Sequence, residues 1–483
     1  MRCADYGNHK LVAFSYERRG FRPSCGARRN GTDRGQTVDR VCENGQDRAW
    51  PAPTRRQSES CGQKRLRSRP GDPRTQGRGS SFSGSFQRSS PAMSLVSVIV
   101  PTYNRRETIQ AAIASVQRQT FTDWELIVVD DGSTDDTAAL IEGSDPRLVL
   151  IRQKNQGVNE ARNNAMLRAR GQYIAFLDSD DEWLPHHLEL SMAFFRAFPG
   201  EDFLSGEFCE DGGSQGLVYF LRTALTEWYP PLAERAGSSL LRLPPGESDP
   251  YRRVFESVEP IGEWGRDIVA RTPYRDSRLY RGHVFGHMRF GFLFALQPTV
   301  ITRRAREAVG LFDPCHRIGA DYGYLANLCR RFKANFFPLP MAIKYEYARD
   351  GARLNEGHLS TGSTRFEFER DLLHQFEELF GGERGEDPEI IALRRARQLV
   401  VGRAALGKGN RAEALRYLGE AKRGRSAPSA AALWWLVRVT PTAAVAHRIY
   451  TGLRRAGMLG WELLTKRAAW SRIARKAWGR FPA

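Results

Sequence analysis

Two acidic clusters hold the residues of this sequence that are best suited to chemistry. The first is Asp130–Asp135, the second comprises Asp178, Asp180 and Asp181, and each directly follows an apolar segment. The carboxylates of the second cluster would repel one another unless a cation neutralises them, and oxygen ligands of this kind suit Mg²⁺ or Mn²⁺. Such ions commonly bind substrate phosphates as well. The pattern therefore favours a metal–diphosphate site at Asp178 and Asp180, with a solvated turn as the alternative.

The segments around these clusters are predicted to alternate between strands and helices. Val96–Val100 is a continuous apolar, β-branched run, which is typical of a strand buried on both faces. Asn104 is expected to begin a helix, with Glu107 completing a capping box. The same alternation continues with strands at Trp124–Val129, Leu148–Ile151 and Tyr173–Leu177, helices at Asp135–Ile141 and Asn159–Arg168, and a further helix opened by Pro185.

This order predicts an α/β fold with a mainly parallel sheet, because consecutive parallel strands need helical crossovers. Ligands of such sheets bind beyond the carboxyl ends of the strands. Both acidic clusters follow strands, so they are expected to meet at that edge. His186 and His187, which follow the second cluster, are expected to be exposed residues of a first helical turn.

The remainder of the chain gives a coarser prediction. Residues 206–290 carry no pattern that can be decoded, whereas Phe292–Ile301 has strand character and Ala308–Arg331 predicts a turn followed by a helix. After about Ser360 the chain is expected to be mostly helical. Four parts are therefore predicted: an N-terminal tail at 1–92, a first half of an α/β domain at 93–205, its second half at 206–350, and a helical C-terminal extension at 360–483.

Four motifs resemble those of family-2 glycosyltransferases, which have the Rossmann-like GT-A fold. They occur in the family's order over about 85 residues: Val98–Asn104 (VIVPTYN), Glu125–Asp135 (ELIVVDDGSTD), Gly157 with Ala161–Asn163 (ARN), and Gly171–Asp181 (GQYIAFLDSDD). A single short acidic motif occurs often by chance, but four in order are specific. The resemblance implies that residues 93–205 bind a nucleotide sugar.

The resemblance also implies roles for individual residues. The positions that it assigns to the nucleotide sugar are Pro101, Tyr103, Asp131, Arg162, Asp178 and Ser179. Among these, Tyr103 and the backbone of Pro101 would contact the nucleobase, and Asp131 would hold the base or the ribose. The implied metal ligands are Asp180 and Asp178.

A second stretch, Gln297–Tyr347, resembles the acceptor-binding half of the same family. The family's catalytic base is the Asp of a Glu-Asp pair, which corresponds to Asp321 in this sequence. Two departures put the acceptor contacts near this base in doubt, because Ala320 replaces the usual Glu and Gly323 stands where a polar residue is frequent. The alternative for Asp321 is a helix N-cap.

The resemblance implies a metal-dependent, inverting transfer of a sugar from a UDP-, GDP- or dTDP-linked donor to a hydroxyl of a glycan or lipid-linked acceptor, in cell-envelope or polysaccharide synthesis. Asp321 would take the hydroxyl proton, and the Mg²⁺ or Mn²⁺ ion would neutralise the leaving diphosphate. Two alternatives remain open. A polyprenyl-phosphate glycosyltransferase has a phosphate acceptor that needs no comparable base, and a nucleotide-sugar-binding protein could be catalytically silent.

The N-terminal segment 1–92 differs from the rest of the chain in composition. It holds 19 basic against 8 acidic residues, which is more than half of the whole chain's excess of 18. This concentration weakens a nucleic-acid-binding interpretation of the whole protein. Few aliphatic residues and no helical or strand period predict a disordered tail. The alternative is that translation begins at Met93.

The C-terminal segment carries a basic amphipathic pattern. Trp470, Ile473, Trp478 and Phe481 share one helical face, opposite several Arg residues. Such a helix can lie in a membrane interface, or its apolar face can pack on the catalytic domain. The sequence shows no signal-peptide pattern and no apolar run of about 20 residues. We therefore expect a cytoplasmic protein, with peripheral membrane contact through this helix as an open alternative.

Overall fold

The structure, a computed structural model, describes residues 95–211, 217–316, 318–345, 364–382, 387–423 and 428–455. The predictions for the tail at 1–92, for a start at Met93 and for the amphipathic helix at 470–481 concern residues outside these ranges. Within the described ranges, no helix has both the length and the apolar character needed to cross a membrane.

The first half of the domain alternates strands and helices, as predicted. The strands are β1 (Val96–Thr102), β2 (Trp124–Asp130), β3 (Leu148–Arg152) and β4 (Tyr173–Phe176), and the helices are α1 (Ile109–Gln117), α2 (Thr137–Ile141) and α3 (Val158–Arg168). The four strands are parallel in the order β3-β2-β1-β4. Every residue of β1 and β2 is buried, because α1 covers one face of the sheet and α3 the other. The predicted α/β fold is confirmed.

The predicted helix start at Asn104 is wrong. Helix α1 begins at Ile109, and Asn104 has a left-handed backbone with a φ of 50°. Asparagine tolerates this conformation better than most residues. Its side chain accepts a hydrogen bond from the Thr134 amide at 2.8 Å, so it holds the loop after β2 instead of capping its own helix.

The second half of the domain extends the sheet with mixed pairing. Strand β10 (Val300–Thr302) is antiparallel to both β4 and β6 (Phe203–Asp211), and β6 is parallel to β11 (Ala334–Tyr345). The outer strands are β9 (Arg278–Gly282) and β8 (Ser257–Pro260), while β5 (Asp181–Trp183) pairs with β11 and β7 (Leu217–Tyr219) with β6. The stretch 206–290 thus holds regular strands that no sequence pattern revealed. The predicted strand Phe292–Ile301 is mostly wrong, since only its last two residues lie in β10.

The helices that follow β4 surround the sheet. They are α4 (His187–Ala197), α5 (Phe220–Thr223), α6 (Tyr229–Ala236), α7 (Glu263–Ala270), α8 (Arg303–Val309) and α9 (Ala320–Arg331), with a π-helical turn at Ala224–Trp228 and 3₁₀ turns at Pro250–Arg253 and Phe285–Phe290. The region predicted as a turn and a helix at Ala308–Arg331 therefore contains the end of α8, a loop, and α9.

The prediction that His186 and His187 are exposed is wrong. The His187 side chain is fully buried and packs against Trp183, with the two rings tilted and their centroids 4.5 Å apart. Burial lowers its pKa to about 3, so the imidazole is neutral. His186 lies 2.9 Å from the carbonyl oxygen of Pro340 on β11. Both side chains are covered because the sheet continues over them, which local sequence cannot show.

The C-terminal extension is helical over its described residues. It comprises α10 (Arg365–Phe380), α11 (Pro388–Gly407), α12 (Arg411–Ala421), α13 (Pro428–Val439) and α14 (Ala443–Arg455). Helix α10 joins two hydrophobic clusters, because Phe376 packs with the α/β domain and Leu373 with α11 to α14. The extension is therefore anchored on the domain that carries the acidic clusters.

Candidate active site

A cleft of about 780 Å³ lies at the carboxyl ends of β1, β2 and β4. All the site residues that the sequence predicted line it: Pro101, Tyr103, Asp131, Arg162, Asp178, Ser179, Asp180 and Asp321. Parallel strands place their carboxyl ends on one edge of a sheet, so the motifs after β1, β2 and β4 meet there. Asp321 reaches the same cleft from the first turn of α9.

Arg162 on α3 is a buried cation at the centre of this cleft. Its guanidinium donates a hydrogen bond to Asp178 Oδ1 at 2.7 Å and lies over the Phe312 ring. Burial alone would lower the pKa of Arg162, but the carboxylates of Asp178 and Asp321 reverse this effect and raise it. The guanidinium therefore keeps its positive charge, which the carboxylates of Asp178 and Asp321 stabilise.

Asp178 is held by the protein from two sides. Gln297 donates its side-chain amide to Asp178 Oδ2 at 2.7 Å, while Arg162 occupies Oδ1. Sequence reasoning did not single out Gln297, because it lies in the loop before β10, more than 100 residues away along the chain. With both oxygens engaged, Asp178 is a poorer candidate metal ligand than Asp180.

Asp180 faces the cleft beside a second cation that sequence reasoning did not identify. Arg105 Nη2 lies 3.6 Å from Asp180 Oδ2, and both side chains are partly exposed. This pair, with Lys344 further along the wall, makes the cleft basic as well as acidic. Such a mixture suits a ligand that brings both a cation and phosphate oxygens.

Asp181 is unlike the two carboxylates before it. It is 3% exposed, and its Oδ1 atom accepts no hydrogen bond from the described residues. Burial raises its pKa well above the ordinary value, and the charges of Asp180 and Asp178 raise it further. Both effects favour the neutral form of the Asp181 carboxyl, and a neutral Asp181 would lessen the repulsion among the three adjacent carboxyl groups.

Asp131 organises another part of the cleft wall. It accepts hydrogen bonds from the Gln153 side-chain amide at 2.8 Å, from the Gln156 amide at 2.9 Å and from the Gly157 amide at 2.8 Å. These bonds fix the loop between β3 and α3, where Gly157 has a φ of 96°. Tyr103 stands at the mouth of the cleft with 44% of its surface exposed.

Asp321 lies in the first turn of α9, but it is not the N-cap. The N-cap is Gly319, with a φ of 72°, so the N-cap alternative for Asp321 is wrong. Burial raises the pKa of the Asp321 carboxyl and Asp178 adds to the rise, while Arg162 opposes both. A carboxyl with a raised pKa is a better proton acceptor than an exposed aspartate when it is ionised.

The two departures from the family pattern in α9 lie next to a buried polar side chain of α10. Gln375 is 1% exposed, and its side-chain oxygen accepts the Gly323 amide at 2.9 Å. Its amide nitrogen donates to the Gly319 carbonyl oxygen at 3.1 Å. A Cβ atom at residue 323 would lie 2.6 Å from the Gln375 oxygen, so a larger residue there would have to displace the end of the Gln375 side chain. No local sequence pattern indicates this contact, because α10 is separated from α9 by a strand and a long connection.

The donor set of the cleft fits one divalent cation that also binds the substrate. The cleft's aspartates do not form a cluster of three converging ligands within the described ranges. Mg²⁺ in particular is usually bound by one or two carboxylates together with phosphate oxygens and water. Asp180 faces the cleft and is partly exposed, so it meets that requirement, and Asp178, which is also partly exposed, lies next to it in the chain.

Comparison with known proteins finds sequence similarity in the first half of the domain. Residues 97–205 match the family model described as Glycosyl transferase family 2. Over 101 residues the chain is 46% identical to the UDP-Glc:alpha-D-GlcNAc-diphosphoundecaprenol beta-1,3-glucosyltransferase WfgD of Escherichia coli, covering 20% of this chain and 40% of the relative. Over 104 residues it is 46% identical to the putative teichuronic acid biosynthesis glycosyltransferase TuaG of Bacillus subtilis (strain 168), covering 21% and 41%. The chain thus spans about two fifths of these relatives' length.

The solved structures include the mannosyltransferase PcManGT from Pyrobaculum calidifontis in complex with GDP-Man and Mn²⁺. The structural match covers 80% of this chain and 88% of the mannosyltransferase chain, with 18% sequence identity and a TM-score of 0.40.

Proposed function

We propose that this chain, in which residues 97–205 match glycosyl transferase family 2, is a metal-dependent inverting glycosyltransferase. It would transfer a sugar from a UDP-, GDP- or dTDP-linked donor to a hydroxyl group of a glycan or lipid-linked acceptor, in cell-envelope or polysaccharide synthesis. The observation that carries the proposal is the convergence of the donor-side aspartates and Asp321 on one cleft, around the buried cation Arg162.

The donor would bind along the edge of the parallel sheet. Tyr103, Pro101 and Asp131 line the end of the cleft assigned to the nucleoside, while Asp178 and Ser179 follow β4 beside the diphosphate position. A Mg²⁺ or Mn²⁺ ion held by Asp180, with Asp178 beside it, would supply Lewis-acid stabilisation of the leaving diphosphate when bound. Arg105, now paired with Asp180, is placed to meet the phosphate oxygens.

Asp321 would act as the general base. An acceptor hydroxyl is a poor nucleophile at neutral pH, so a carboxylate that takes its proton raises the rate of attack. Arg162 limits the rise in the pKa of Asp321, because its positive charge opposes the effect of burial. Attack from the Asp321 side of the cleft and departure of the diphosphate from the Asp180 side would invert the anomeric carbon.

The first experiment uses the purified full chain with labelled UDP-, GDP- and dTDP-sugars, Mn²⁺ and lipid-linked or glycan acceptors. Asp321→Asn should lower the transfer rate by about 10²–10⁴-fold, the usual contribution of a general base, while donor binding is retained. Asp180→Ala should abolish transfer and weaken metal-dependent donor binding. Asp276→Asn changes an exposed aspartate that does not line the cleft, and it should have no effect.

The same variants separate the proposal from its two rivals. Transfer to a polyprenyl phosphate that survives Asp321→Asn would favour the phosphate-acceptor enzyme. Donor binding without hydrolysis or transfer, for any acceptor tried, would favour a catalytically silent binder. No binding of any nucleotide sugar with Mn²⁺ would overturn all three.

A further inference from the structure

Three potential metal ligands meet on the surface of α10, outside the cleft. Nitrogen or oxygen atoms of His316, His374 and Glu378 all lie within 4.8 Å of one another. His316 Nε2 is 3.0 Å from Glu378 Oε2, and His374 Nδ1 is 3.8 Å from Glu378 Oε1. His374 and Glu378 are one helical turn apart, so α10 presents them on the same face.

The surroundings favour a metal over a simple ion pair. The His316 side chain is 8% exposed, so its imidazole is fixed, whereas His374 and Glu378 remain open to solvent. Asp313 Oδ2 lies 3.9 Å from the same His316 nitrogen and offers a fourth ligand. Two imidazoles with one or two carboxylates are the ligands of Zn²⁺ or a similar transition metal, while Mg²⁺ prefers oxygen alone.

We infer that His316, His374 and Glu378 form a zinc site, with Asp313 or water completing the coordination. The site is distinct from the Mg²⁺ or Mn²⁺ position at Asp180, because its ligands lie on α10 and on the loop before α9. It needs none of the residues that the proposed transfer reaction uses.

A metal here would fasten the loop before α9 to α10. On its other side the loop is already bound to α3, where Asn159 donates to the His316 carbonyl oxygen and Asn163 donates to that of Phe312. Pro314 and Ile318 of this loop line the cleft, and α9 with Asp321 follows directly. Zinc would therefore hold one wall of the cleft against the C-terminal extension.

The test uses the full chain, stripped of metal with a chelator and titrated with zinc sulfate by calorimetry. His374→Ala should weaken the zinc affinity by about 100-fold, and the fold should tolerate this change because the His374 side chain is exposed. His283→Ala replaces another exposed histidine and should bind zinc like the wild type. Cysteines elsewhere could also bind zinc, but they would do so equally in both variants.

Two further readouts make the result independent of transferase activity. Zinc should raise the melting temperature of the wild type and of Asp180→Ala, but not that of His374→Ala. Cobalt substituted at the site should show visible d–d bands that Glu378→Gln alters. The inference is overturned if the stripped wild type takes up no zinc, or if His374→Ala and His283→Ala bind it with equal affinity.

Discussion

Replacing Gln375 by alanine should destabilise the protein and disturb Asp321, the proposed general base, which Gln375 does not contact. Gln375 is a buried side chain of α10 that takes the place of a local cap for α9. It accepts the Gly323 amide at 2.9 Å and donates to the Gly319 carbonyl oxygen at 3.1 Å. Asp321 lies between these two residues, so its position depends on the same pair of bonds.

The expected loss of unfolding free energy follows from the hydrogen bonds that Gln375→Ala removes. A hydrogen bond within a protein contributes about 0.5–1.5 kcal/mol net, so removing both bonds to α9 should lower the free energy of unfolding by about 2 kcal/mol. Gly323→Ala should cost less. Its new Cβ would lie 2.6 Å from the Gln375 oxygen and displace it, but alanine recovers roughly 1 kcal/mol of helix propensity.

Urea unfolding followed by circular dichroism measures both variants. Gln110→Ala, on the exposed side of α1, is the matched control and should stay within about 0.5 kcal/mol of the wild type. In the transfer assay Gln375→Ala should lower kcat more than it raises KM for the donor, because the donor-side strands are untouched. If Gln375→Ala is as stable and as active as Gln110→Ala, α10 does not support α9 in the way described.

Two further predictions concern pH. Activity should fall as the pH drops through the raised pKa of Asp321, because the proposed base must be ionised. Arg162→Gln removes the charge that opposes the effect of burial, so it should move this acidic limb of the kcat/KM profile to higher pH. Arg266→Gln, on the exposed side of α7, is the control and should leave the acidic limb in place. Burial raises the pKa of Glu207 from 4.5 to about 7, so the folded state holds this proton more tightly than the unfolded state. Stability should therefore decline from about pH 4.5 towards pH 7, by up to roughly 3 kcal/mol, and Glu207→Gln should remove that decline; a slope of equal size in the variant would contradict the assignment.

The first half of the fold could be predicted because its signals are local. The runs that form β1 and β2 are apolar almost without interruption, since both faces of each strand are covered. The acidic motifs follow those runs directly, and the parallel arrangement then brings Asp131 and Asp178 to one edge. Between β1 and β4, the predicted helix start at Asn104 is wrong because the left-handed Asn104 depends on the loop of another motif.

The second half could not be predicted because its contacts are made far along the chain. Gln297 reaches Asp178 from a loop 119 residues away, and the same long range explains the error at His186, near the end of the first half, which meets a strand 154 residues further along. Strand β10 is only three residues long and is defined by its two neighbours, so the longer apolar run before it misled the prediction. None of these arrangements leaves a periodic pattern in the local sequence.

The residues at 320 and 323 show how such a distant contact changes the interpretation of a motif. On sequence alone, Ala320 and Gly323 suggest a weakened base region, since two positions that are often polar hold small residues. In the structure, a small residue at 323 is what allows Gln375 to approach, so α10 supplies a polar group that α9 itself does not carry. The C-terminal extension therefore completes the half of the domain that carries Asp321. A chain cut before α10 would lack Gln375 together with the apolar contacts of Phe376, so Asp321, the proposed base, should not keep its position in such a chain.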